Sequence, residues 1–214
     1  MDDLFTLYRN QPLTRGWNSF LENDAKTQLD FGLYWLEPGE TQTFVSQSQE
    51  IALLILGGKG SFETEKDRAD FERSSWIEQS PCCVHSPVKS TVAVTASTEV
   101  EIAVVRTMNP QEFPQKIYRP EDVECEHRGK GMLDDASYRI VRCVFDRRTA
   151  PPESRLVLGE VINFPGRWSS YPPHHHTQPE LYYYRFEPEW GYGHGELGDT
   201  VYKIKHHEIG RAHV

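Results

Sequence analysis

Residues 166–186 read GRWSSYPPHHHTQPELYYYRF. Adjacent histidines, a nearby glutamate and a row of tyrosines are residue types that hold divalent cations and move protons. In an extended chain, residues two apart share a face. His174 and His176 are therefore expected to point together, with His175 pointing away. A bend over Thr177, Gln178 and Pro179 brings Glu180 in beside them, and Tyr182 and Tyr184 share its face on the following strand. Two imidazoles and one carboxylate suit a borderline divalent ion such as Zn²⁺, Mn²⁺ or Fe²⁺. The alternative is a solvated histidine loop beside a tyrosine-rich strand, and the spacing alone leaves both open. Seven of the nine histidines follow residue 173, and the first 126 residues contain only His85. One imidazole cannot hold a divalent ion, so metal ligands are expected from the C-terminal half only.

The elements that must position these residues read as strands. The segments IALLILGGKGSFET (51–64) and TVAVTASTEVEIAVVRT (91–107) have the pattern of hairpins, the first turning at Gly57-Gly58 and the second at Ser97-Thr98-Glu99. YRIVRCVF (138–145), SRLVLGEVINF (154–164), ELYYYRF (180–186) and TVYKIKHHEI (200–209) continue the habit. No stretch of a dozen residues carries the i, i+3, i+4, i+7 stripe of a helix. The reading is an all-β chain built as sandwich or barrel. An N-terminal barrel without a metal site is expected over 1–108, a linker over 109–124, and a C-terminal barrel carrying the site over 125–214. There is no close internal repeat, so duplication of one barrel is a structural expectation only.

Composition narrows the partners. Twenty-three Lys and Arg against 32 Asp and Glu give a formal charge of −9, which repels phosphate backbones and anionic lipid. Neither nucleic acid nor a membrane is an expected partner; a small molecule is, and an anionic one needs a local arginine cluster. Cys82, Cys83, Cys125 and Cys143 form no CxxC pair and are expected as small buried hydrophobes in a reducing compartment. The N-terminus MDDLFTLYRN lacks a basic region followed by an apolar one, and the aliphatic run Ile51 to Leu56 is too short to span a bilayer. The cytoplasm is the expected location.

His-x-His-x3-Glu is similar to the first metal-binding motif of the cupins. The longer string formed by Gly166, Trp168, Ser169, Ser170, Tyr171, Pro172, Pro173, His174, His176, Glu180, Tyr182, Tyr183, Tyr184 and Arg185 closely resembles the 5-deoxy-glucuronate isomerases of bacterial inositol catabolism. A sister family, the uronate ketol-isomerases of pectin breakdown, looks alike around the ligands. The resemblance implies a bicupin with a divalent metal, zinc before manganese or iron, on His174, His176 and Glu180. It implies an aldose–ketose interconversion of an open-chain uronic acid, in which a Lewis acid holds the carbonyl and hydroxyl oxygens and a base moves a proton between C1 and C2. Glu180, Tyr182, Tyr184 and Arg185 are the candidate catalytic residues. Arg185 and Arg142 are candidates for a donor fork on the substrate carboxylate, although strand parity turns Arg185 away from Glu180. A homo-oligomer is expected.

This chain departs from the family in a shorter insert before the glutamate. The family also takes a third histidine from a Pro-x-Gly-x-x-His context, which Gly210-Arg211-Ala212-His213 imitates without the proline. The ending EIGRAHV resembles a translated sequencing adapter. The expectation is that the natural protein continues beyond about His207, and that the chain as written has an incomplete second barrel and no activity. Two other readings are a non-enzymatic sugar-binding cupin and an iron-dependent cupin dioxygenase.

Overall fold

A computed structural model describes residues 12–169, 172, 174 and 176–212. Sixteen strands account for most of them: β1 (Gly16–Leu21), β2 (Leu29–Leu36), β3 (Thr41–Ser46), β4 (Gln49–Glu63), β5 (Arg68–Arg73), β6 (Cys83–Ser86), β7 (Ser90–Ala96), β8 (Val100–Met108), β9 (Lys116–Tyr118), β10 (Glu124–Arg128), β11 (Arg139–Phe145), β12 (Leu158–Asn163), β13 (Glu180–Tyr184), β14 (Tyr192–Leu197), β15 (Thr200–Lys205) and β16 (Glu208–Ala212). The only helical pieces among the described residues are two 3₁₀ turns, at Pro120–Asp122 and Leu133–Asp135. The all-β expectation holds, and no described helix is long and apolar enough to cross a membrane.

The long strand β4 organises the N-terminal half. Its first part pairs with β8 and β6 in the order β1-β2-β8-β4-β6-β9, and its last part pairs with β5 and β7, with β3 outside β7. The Gly57-Gly58 pair is therefore not the turn of a hairpin, as its sequence suggests, but the point where one strand passes between two sheets. The ladder to β8 shifts register between Ile55 and Gly57, and Gly58 has φ +104°. A Cβ on Gly58 would stand 2.1 Å from the carbonyl oxygen of Glu99, so only glycine fits this corner. The second expected hairpin is corrected in the same way. Residues 97–99 do interrupt it, but β7 pairs with β3 and β4 while β8 pairs with β2 and β4.

Alternation along β4 explains why Ile51 to Leu56 is apolar without a break. Ile51, Leu53 and Ile55 fill a core enclosed by the N-terminal sheets, with Phe44, Phe62, Val92 and Val104. Ala52, Leu54 and Leu56 point the other way, into a second core shared with Val144, Phe145, Leu156 and Ile209 from the C-terminal half. A strand buried on both faces must be apolar on both. Residues 109–124, expected as a linker, are packed in place. β9 joins the edge of the first sheet beside β6, and Phe113, Ile117, Tyr118 and Val123 are buried. The C-terminal half contributes the sheet β10-β11-β12 and the pairs β13-β16 and β14-β15. Segment 208–212 forms a strand, with Gly210 opposite Tyr182 and Ile209 fully buried. The cysteine expectation is met in part: Cys82 and Cys83 are buried and all four are free, but Cys125 is exposed and Cys143 half-buried. Strand β10 explains the exception, since Cys125 sits on an outer strand that pairs, among the described residues, with β11 alone.

Candidate functional site

Strand β13 positions the chemistry by alternation. Leu181 and Tyr183 face the core between the halves, where Tyr183 meets Phe20 and Phe31 at ring distances of 5.6 and 5.5 Å. Glu180, Tyr182 and Tyr184 consequently share the opposite face, as parity predicts. The bend before β13 returns His176 to that face, and its Nε2 lies 2.8 Å from Glu180 Oε1. The Tyr182 hydroxyl donates to Glu180 Oε2, and Tyr184 stacks on Tyr182 with ring centroids 6.0 Å apart. His174 lies beside His176, their rings 6.3 Å apart, with His174 Nδ1 3.0 Å from the carbonyl oxygen of Pro172. The side chains of His176 and Glu180 are 35% and 36% exposed, open enough for a solute to reach.

The electrostatics assign donors and acceptors. Burial pushes the Tyr182 phenol far above its ordinary range, and its hydrogen bond to Glu180 pushes the same way. Burial also raises Tyr184, to about 12, with the Glu180 charge adding to it. Both tyrosines are therefore phenols at neutral pH, donors rather than bases. Glu180 is the acceptor of the group.

The donor types suit a borderline divalent ion: the His176 imidazole and the Glu180 carboxylate are in contact, the His174 ring lies 6.3 Å from that of His176, and His176 Nδ1 is buried without a hydrogen-bond partner. Among the described residues, however, no three His, Cys, Asp or Glu side chains are already arranged around one point. His176 and Glu180 touch each other directly instead. His175 and His213 lie outside the described residues.

The two candidate arginines are not brought to this face. Arg185 crosses the seam between the halves, 3.1 Å from Glu101 and over the ring of Trp76 at 5.7 Å. Arg142 is buried and spends its Nη groups on the carbonyls of Trp76, Ile77 and Gln79 at 2.6–2.8 Å. His85 is occupied too, and with a partner that sequence reasoning missed. Its Nε2 lies 2.6 Å from Glu50 Oε1 in a site closed to solvent, and its ring stacks on Phe145 at 4.3 Å. Glu50 also accepts from Asn109, Ser154 and the backbone N–H groups of Arg155 and Leu156. The one sequence signal for this cluster is a charged residue directly before an aliphatic run.

The KduI/IolB family model matches residues 11–211. A 5-deoxy-glucuronate isomerase of Geobacillus kaustophilus is 30% identical over 186 residues, covering 81% of this chain and 64% of that protein. One of Geobacillus thermodenitrificans is 28% identical over 196 residues, covering 86% of this chain and 66% of that protein. The chain thus matches slightly less than two thirds of the length of these relatives. In fold it is similar to an IolB-like protein of Salmonella typhimurium, with TM-score 0.80, 22% identity, and coverage of 96% of this chain and 83% of the other. The protein Ylba of E. coli is similar at TM-score 0.60 and 10% identity, covering 98% of this chain and 83% of the other.

Proposed function

The chain belongs to the KduI/IolB family, and on that premise we propose that it serves the aldose–ketose isomerisation of 5-deoxy-glucuronate in inositol catabolism. We read the C-terminal strands as part of a second cupin barrel that carries the active face. The observation supporting this reading is the contact of His176 Nε2 with Glu180 Oε1 at 2.8 Å, with Tyr182 donating to the other carboxylate oxygen, on a partly open strand face. That grouping contains an acceptor for a carbon-bound proton and donors for developing charge on oxygen.

His174, His176 and Glu180 would hold a divalent ion, zinc foremost, which supplies Lewis acidity to the carbonyl and hydroxyl oxygens of the open-chain sugar. The Glu180 oxygen that Tyr182 orients would take the proton from C2 and return it at C1, while the hydroxyl hydrogen passes from O2 to O1. Tyr184 stacks against Tyr182 and limits its rotation. Arg185 has no part in this step, because it leaves β13 on the opposite side.

The test is to measure bound zinc by mass spectrometry and ketose formation from 5-deoxy-glucuronate in the same preparation. His176→Ala and Glu180→Gln should lose most of the metal and whatever turnover the parent chain shows. Full metal content and turnover in both variants would refute the reading.

A further inference from the structure

The seam between the halves holds an arginine cluster that the isomerase reading does not use. Arg73 grips Glu160 with both Nη groups at 2.8 Å, and Arg142 lies 3.6 Å from the same carboxylate. Both arginines also donate to the carbonyls of Trp76 and Gln79, which fixes the segment after β5. Arg185 arrives from β13 over the Trp76 ring and meets Glu101 through Nη2 alone. Arg73, Trp76 and Arg185 line a cleft of about 360 Å³ together with Lys59, Ser74 and Thr98.

The cluster has more donors than acceptors. Arg73 Nε, Arg142 Nε, and Arg185 Nε and Nη1 are all buried without a partner, against a single unpartnered acceptor, Glu101 Oε1. Buried N–H groups lacking an acceptor are rare in native proteins, and three of these four belong to Arg73 and Arg185, which line the cleft. Among the residues that line the cleft, Lys59, Arg73 and Arg185 stand beside one carboxylate, Glu72, while Glu160 and Glu101 pair with Arg73 and Arg185 from outside that lining.

We propose that this cleft binds a small oxyanion, a carboxylate or a phosphate group, on Arg185 with Lys59 at the rim. Guanidinium forks match both groups in geometry, and the surrounding burial strengthens the contact. Burial also pushes the Glu101 carboxyl upward against the pull of Arg185, which reduces its competition with a ligand for that guanidinium. The site is distinct from the His176–Glu180 face, since Arg185 lies on the other side of β13.

Isothermal titration calorimetry on the full chain, at constant ionic strength balanced with sodium chloride, tests this with two probes: inorganic phosphate and sodium glucuronate. Saturable binding of one ligand per chain is expected from at least one probe, and the probe that binds identifies the source of the oxyanion. Lys59→Gln should weaken it about threefold, as expected for a rim charge. Arg185→Gln should weaken it about tenfold or more, as expected for a lost charge-assisted fork. Because Arg185→Gln leaves Glu101 buried and unpaired, the double variant Arg185→Gln with Glu101→Gln is measured beside it. Glucuronate heat that survives every substitution belongs to the His176–Glu180 face and overturns the assignment for a carboxylate. Absence of saturable binding by both probes, or phosphate binding unchanged in all variants, overturns the proposal outright.

Discussion

Replacing Glu50 by Gln should be among the most damaging single changes outside the hydrophobic core. Glu50 is fully buried and receives five hydrogen bonds, from His85 Nε2 at 2.6 Å, Ser154 Oγ at 2.6 Å, Asn109 Nδ2 at 2.7 Å, Arg155 N at 2.9 Å and Leu156 N at 3.3 Å. Burial alone would raise its pKa, but the bonds from His85, Ser154, Arg155 and Asn109 outweigh it and bring the carboxyl from 4.5 down to about 2. At about 1.36 kcal/mol per pH unit, that depression corresponds to roughly 3 kcal/mol of stability. The carboxylate is favoured in the folded state, so this contribution is complete above pH 4.5 and disappears as pH falls from 4.5 towards 2. A glutamine side chain in its place would turn an amide NH₂ toward donors and strand part of the cluster, a loss of roughly 3–5 kcal/mol. Urea unfolding followed by tryptophan fluorescence, at a series of pH values from 7 to 3, measures both effects. Glu50→Gln should lower stability at pH 7 by that amount and flatten the fall below pH 4.5. A loss under about 1 kcal/mol with an unchanged acid slope would refute the reasoning, because the cluster would then carry no net energy.

The His207 ring is half-buried, and partial burial, with the neighbouring His206 and Arg185 charges, pushes its pKa down from 6.5 to about 4. The folded state therefore favours the neutral ring, and its stability falls as pH drops from 6.5 to 4; His207→Asn, which tolerates the φ of +60° at that position, should flatten that part of an unfolding-versus-pH curve by about 1–2 kcal/mol after allowance for solvent screening. Gly58→Ala should cost roughly 3 kcal/mol or more in chemical denaturation, given φ +104° and the Glu99 carbonyl 2.1 Å from the added methyl; a normal midpoint would show that the sheet corner yields. Tyr182→Phe should lower isomerase turnover about tenfold while leaving the unfolding midpoint within about 1 kcal/mol, since it removes only the donor to Glu180. A variant turning over at the parent rate would remove Tyr182 from the site.

Much of the candidate site was legible in the sequence because it depends on local geometry. The two-residue period of a strand put Glu180, Tyr182 and Tyr184 on one face, turned Tyr183 and Arg185 away, and needed no knowledge of the remainder of the chain. Pro179 and the residues before it signalled the bend that returns His176 to Glu180. The predominance of β-branched runs over helical periodicity likewise determined the all-β class.

Pairing between distant segments was decided only by the tertiary structure. Gly57-Gly58 has the composition of a hairpin turn, yet β4 runs through it, because β5, β7 and β8 compete for its edges and glycine can turn the corner between sheets. The same holds for Glu50 with His85, and for Arg73 with Glu160, partners 35 and 87 residues apart. A charged residue reads as solvated until the fold removes water from around it, and that removal makes a partner necessary. Local sequence determines which way a side chain points; only the assembled sheets determine what it meets there.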